Sequence, residues 1–256
     1  MALRIGFDLD GVLADMESEL VRHAETLFGE QMTRRLLEHA ADVAPVGATD
    51  TEQASGSGAT AQPPAETAGD TTPPLLKLNM TSRQQRRLWH HVESIENFWE
   101  GLSEIEPGIV ERLAALATER RWEIIFLTKR PETAGVTAQV QSQRWLESKG
   151  FTLPSVFVVQ GSRGLIAASL GLDIVVDDRP ENCLDVVVDS KARAILVWRE
   201  DEKYLPLAAR RLGVGIVKSV GECLDILAQV DAAGRDQPSV MDRVKRLLGL
   251  KEPASA

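Results

Sequence analysis

WEIIFLTKRP, Trp122 to Pro131, opens as a nearly continuous apolar run and stops abruptly at Thr128, Lys129 and Arg130. A run of that kind, without strict alternation, marks a strand covered on both faces. The pattern recurs in SVFVV (Ser155 to Val159), DIVV (Asp173 to Val176), AILVW (Ala194 to Trp198) and a short GIV (Gly215 to Val217). Helix-prone stretches alternate with them at Gly108 to Arg120, Gly135 to Ser148, Arg163 to Leu170 and Gly221 to Val230. Repeated β-α units specify an α/β fold, a Rossmann-like parallel sheet with helices on both faces. RIGF, Arg4 to Phe7, is one more such strand, separated from the others by a long helical region. It is expected to join the later sheet, which makes residues 15–96 an insert and residues 1–14 with 97–230 the core.

Within the insert, Glu17 to Val43 and Ser82 to Trp99 read as helical, with Leu20, Leu27, Phe28, Leu36 and Leu37 among charges. Between them, residues 44–74 hold a single large aliphatic, Val46, and no aromatic. Such a stretch cannot form a core, and a disordered loop is expected. Asp15 reads as the N-cap of the first insert helix. Trp89, Phe98 and Trp99 read as core, although aromatics here could also stack on a base. The run Gln139, Gln141, Gln143 reads as a polar helix face. Residues 231–256 form a tail whose SVMDRVKRLLGLK, from Ser239, has the pattern of a short amphipathic helix, expected to dock on the body.

Composition narrows the class of protein. A chain of 256 residues, 43% hydrophobic and 26% charged, can bury a substantial core. Twenty-nine basic against 38 acidic side chains give a net charge of −9, which argues against a nucleic-acid polymer or an anionic membrane as main partner. Two cysteines, Cys183 and Cys223, make no disulfide scaffold. With no apolar leader in MALRIGFDLDGV and no run near the roughly 18 apolar residues of a membrane span, a cytoplasmic protein is expected.

The chemistry lies just past the strands. Asp8-Leu9-Asp10-Gly11 follows RIGF, Thr128-Lys129-Arg130 follows WEIIFL, and Asp177-Asp178 follows DIVV. Open α/β sheets bind ligands at the carboxyl ends of their strands. Four carboxylates aimed at one place repel unless some protonate or a cation joins them. A hard divalent ion with oxygen ligands, Mg²⁺ rather than zinc, fits that set, since His23, His39, His90 and His91 all fall in the insert. A cation beside a hydroxyl and the amides of a glycine turn is a place for a phosphate, with a carboxylate free to attack phosphorus in line. Arg130 and Arg179 could reach such a phosphate or brace the acidic pairs, and the sequence does not separate the two.

FDLDGVLAD (Phe7 to Asp15), FLTKRP (Phe126 to Pro131) and VVDDRPEN (Val175 to Asn182), in that order, resemble the successive motifs of the haloacid dehalogenase superfamily of phosphohydrolases. LADM and DDRPEN are most similar to its deoxyribonucleotidase-like branch. The resemblance implies Asp8 as nucleophile and Asp10 as general acid/base, with the Asp10 backbone carbonyl on Mg²⁺. It implies Thr128 as phosphate binder, Asp178 as a direct metal ligand and Asp177 as its partner. The family's lysine, about 14 residues before the acidic pair, is replaced here by Arg163, with Lys129 as the other candidate for its role. A phosphorylated small molecule is the implied substrate, a nucleotide on the strength of the branch alone. The substitution by arginine also leaves open a different class, a regulatory protein that binds phosphate or nucleotide on this fold without turnover.

Overall fold

Side chains alternate along each apolar run, so every central strand feeds two cores. In the computed structural model, which describes residues 2–31, 33–34 and 80–234, Ile124 and Phe126 join one hydrophobic cluster while Ile125 and Leu127 join another. Ile174 and Val176 part from Val175 in the same way, as do Ile195 and Val197 from Ala194 and Leu196. The strands are β1 (Arg4–Asp8), β2 (Glu123–Thr128), β3 (Ser155–Val158), β4 (Ile174–Asp177), β5 (Arg193–Val197) and β6 (Gly215–Val217). They form one parallel sheet in the order β3-β2-β1-β4-β5-β6.

The order reverses direction between β1 and β4, which opens a crevice where their carboxyl ends diverge. Asp8 ends β1 and Asp177 ends β4, so the topology itself puts both at that crevice.

One face is covered by α3 (Ile109–Arg120), α4 (Ala138–Ser148) and α8 (Val220–Gly234), the other by α5 (Arg163–Leu170), α6 (Pro180–Asp189) and α7 (Leu207–Arg211). Local chemistry starts these helices. Thr137 and Ser162 accept backbone N–H groups of α4 and α5, Pro180 occupies the first turn of α6, and left-handed Gly171 ends α5.

Between β1 and α3 the chain leaves through α1 (Met16–Phe28) and returns through α2 (Ser82–Glu93). Asp15 caps α1 by accepting from the Ser18 N–H, and Thr81 with Gln84 closes a capping box on α2. The outgoing and returning segments lie side by side, since the Asp15 N–H donates to the Ser103 carbonyl and the Ile105 N–H to that of Leu13. Leu20, Ala24, Leu88 and Val92 bury into the same cluster as the sheet face.

Some expectations need correction. SVFVV is an edge strand, not one covered twice, and Phe157 is 44% exposed. In the glutamine run Gln139 is exposed and Gln143 half-buried, but Gln141 is fully buried and receives the Trp99 backbone N–H. Trp89, Phe98 and Trp99 are core, as the sequence reading expects. The proposed loop at 44–74, the end of the first insert helix and the amphipathic tail segment lie outside the described residues. No helix among the described residues is long and apolar enough to cross a membrane.

Candidate active site

Three carboxylates meet at the crevice. Asp8, Asp177 and Asp178 each offer an oxygen within 4.8 Å of the others. Each is held differently. Asp177, wholly buried, accepts the Arg179 N–H at 2.9 Å, and both of its oxygens accept the Asn182 side-chain amide at 3.0 Å. Those bonds fix its plane at the start of α6. Asp8 accepts Arg163 Nη2 at 2.7 Å, while Arg163 Nε lies 3.5 Å from Asp177. Asp178 Oδ1 is buried with no hydrogen-bond partner.

A buried, unbonded carboxylate oxygen is costly unless a cation meets it. Opposite it stands Gly11, with φ of +82°, where an added Cβ would sit 2.0 Å from Asp178 Oδ2. The turn after Asp10 must therefore be glycine, both for its left-handed backbone and for the room it leaves the carboxylate. Burial raises Asp8 well above the ordinary carboxyl range despite Arg163, and burial together with Asp177 pushes Asp178 up to about 7. An all-oxygen set of this kind suits a hard divalent cation. Among the described residues, no histidine or cysteine joins it.

The expected crowding of four carboxylates is corrected at Asp10. Its side chain turns to Arg130, whose Nη2 donates at 2.7 Å to Oδ1 and Nε at 2.9 Å to Oδ2. Thr128 Oγ1 donates to Asp10 Oδ2 at 3.1 Å. The side chains of Asp8, Asp10, Lys129, Arg163 and Asp178 line one cavity of about 260 Å³. A second, of about 560 Å³, shares Gly11, Met16, Glu17, Asp178 and Arg179 with it and extends toward Trp198. Another groove, about 970 Å³, lies at the opposite end of the sheet beside Arg4, Glu123 and Ser155, away from these carboxylates.

Arg163 is buried against two carboxylates, so it is not an exposed residue at a helix start. Lys129 is exposed at the cavity. Sequence reasoning missed three contributors. Asn182 lies in the quoted VVDDRPEN, and an amide five residues past Asp177, one turn into a helix, was a usable signal. Arg199 bonds the carbonyls of Gly11 and Val12 and reaches Glu106 at 3.0 Å, which ties the Asp8-to-Gly11 turn to the end of β5. Ser142 accepts from Arg130 at 2.9 Å. Nothing local in sequence announces either of these last two.

No family model matches the chain, and no curated protein does. Solved structures do. One is a protein provisionally assigned as a beta-phosphoglucomutase from Thermotoga maritima, with 18% identity over 89% of this chain and 99% of that one, at a TM-score of 0.50. Another is a dehalogenase, with 14% identity over 89% and 97%, also at 0.50. A provisionally assigned haloacid dehalogenase-like hydrolase from Burkholderia xenovorans gives 14% over 89% and 97%, at 0.48. The likeness carried by the first two is one of fold: the chain shares the α/β fold of those two proteins.

Proposed function

We propose that this protein is a Mg²⁺-dependent phosphohydrolase of phosphate monoesters, working through a phosphoryl group carried on Asp8. One observation supports it most: Asp8 ends β1 at the crevice, gripped by Arg163, within 4.8 Å of Asp177 and of an Asp178 that has a buried oxygen to spare. Asp8, Asp177, Asp178 and the Asp10 backbone carbonyl would hold the metal. Bound there, the ion supplies positive charge that offsets the phosphoryl oxygens and the carboxylates.

The chain's own residues do the rest. Arg163 holds Asp8 in place and keeps its positive charge beside the phosphoryl group, as the family lysine would with a single ammonium. Lys129, exposed at the cavity, attracts the anionic substrate. Thr128 has one proton to give. It now goes to Asp10, and with substrate present it goes to a phosphoryl oxygen. An Asp8 oxygen attacks phosphorus in line as the bond to the leaving oxygen breaks, and Asp10 gives that oxygen its proton. Asp10 then takes a proton from the water that attacks phosphorus, and the Asp8–phosphorus bond breaks to release phosphate. The helical insert, residues 15–96, acts as a cap over the core built from 1–14 and 97–230, excluding water and selecting the substrate. Nucleotides are the first substrate class to assay, by the motif resemblance.

The test is phosphate release from a panel of nucleotides, sugar phosphates and phospho-amino acids, with Mg²⁺ or chelator. Turnover is expected for at least one class with Mg²⁺ only, and Asp8→Asn is expected to remove it, by about three orders of magnitude or more. Full turnover by folded Asp8→Asn overturns the mechanism. Binding of phosphate or beryllofluoride without turnover of any ester favours the regulatory alternative.

A further inference from the structure

We infer that Arg130 is a positioning residue for proton transfer, setting the orientation of the Asp10 carboxyl from a buried socket. This rests on the reading of Asp10 as the acid/base. Arg130 is 1% exposed, and Asp10 is the one carboxylate it bonds among the described residues. A fork of two short bonds, 2.7 and 2.9 Å, fixes the plane of a carboxylate in a way a single ammonium cannot.

The socket fixes the fork in turn. Nη1 donates to Ser142 Oγ at 2.9 Å, and the guanidinium carbon lies 4.8 Å from the Trp99 ring centre and 6.0 Å from that of Trp145. Both rings are themselves anchored: Trp99 Nε1 donates to the Pro131 carbonyl and Trp145 Nε1 to that of Leu102. Gln141, bonded to Trp99 N, Thr133 and the Val136 carbonyl, closes the wall. With five N–H donors and these partners, the guanidinium has little freedom to follow a moving carboxylate.

The fork grips both oxygens of Asp10, with Nε also 3.2 Å from Oδ1, and Asp10 lines the same cavity as Asp8. Rotating the carboxyl means breaking its bonds to Arg130. Loosening the fork therefore disperses the acid without removing it.

A step that needs the proton suffers more than one that does not. An alkyl phosphate expels an alkoxide that must be protonated as it leaves, whereas p-nitrophenolate leaves unaided. The experiment measures kcat/KM, which reports phosphoryl transfer to Asp8 and not the later hydrolysis, for an alkyl phosphate and for p-nitrophenyl phosphate. In Arg130→Lys, the ratio of alkyl to p-nitrophenyl kcat/KM is expected to fall at least about tenfold. Ser142→Ala, which removes one anchor and leaves the charge pair, is expected to move the ratio the same way by less, and it decides the matter if Arg130→Lys does not fold. An unchanged ratio, with both substrates slowed equally or neither slowed, overturns the inference. If the wild type hydrolyses neither ester, the proposed function falls and this inference with it. If the wild type hydrolyses both and Asp8→Asn neither, an unmoved ratio sinks only the role of Arg130.

Discussion

Asp178 and Asp8 carry the energetic tension of the site. Burial pushes Asp178 from an ordinary 3.8 up to about 7 and raises Asp8 well above the same starting value. A folded-state value above the unfolded one means the folded chain keeps protons that the unfolded chain has released. Their contribution to stability is thus complete below about pH 4 and is lost as pH climbs through about 7. Each such group gives a slope of up to about 1.4 kcal/mol per pH unit. In chelator, the melting temperature is expected to fall between about pH 5 and pH 8, and saturating Mg²⁺ is expected to flatten that fall by favouring the ionised carboxylates. A level or rising melting temperature in chelator over that range contradicts it. Asp8, Thr128 and the Asp177-Asp178 pair were legible in the sequence because each comes where an apolar run stops. Arg130 was legible only as a residue that reaches a phosphate or braces an acidic pair, and its pairing with Asp10 was not. Arg130 lies 120 residues away from it, and only the pairing of β1 with β2 brings them together.

At the scale of elements, the turn from β1 into α1 is the tightest constraint. Its backbone closes on itself, with the Leu13 and Ala14 N–H groups on the Leu9 carbonyl and the Gly11 N–H on that of Ala14. Gly11→Ala puts a methyl against Asp178 and strains a left-handed residue. It is expected to weaken Mg²⁺ binding, read by calorimetry, by about tenfold or more while far-ultraviolet dichroism stays unchanged. Binding as tight as the wild type's separates Gly11 from the cation site. The strands of the sheet were readable as apolar runs to within a residue or so, and α5 and β6 to the residue. What failed was exposure. SVFVV has the composition of a central strand, yet it pairs on one side only, because no later strand adds beyond it. Gln141 looks like a surface residue, but the turn at residues 98–101 and the loop from Pro131 to Val136 fold over α4 and leave it the donors and acceptors it needs. Helix periodicity marks a polar side chain and does not report what a distant loop lays across it.

For the whole molecule, a reversal of strand order gathers residues that sit far apart along the chain into one crevice. The helical excursion leaves and returns through neighbouring segments, so it adds length without breaking the sheet. A net charge of −9 disfavours a phosphorylated ligand at long range, and under the proposed function Arg163, Lys129 and a divalent cation would be the local means of reversing that field. What the molecule acts on was not legible, since the proposed function gives selectivity to the excursion, where no motif speaks. The chemistry itself is open to one direct measurement. Asp10→Asn should still transfer phosphoryl from p-nitrophenyl phosphate, whose leaving group needs no proton, yet fail to activate the water that frees the enzyme. Quenched during turnover with Mg²⁺, reduced with borohydride and mapped by mass spectrometry, this variant is expected to show a reduced acyl phosphate at Asp8. Release of p-nitrophenol with no modified residue, or with the mark on any carboxylate other than Asp8, would contradict a phosphoryl group carried there.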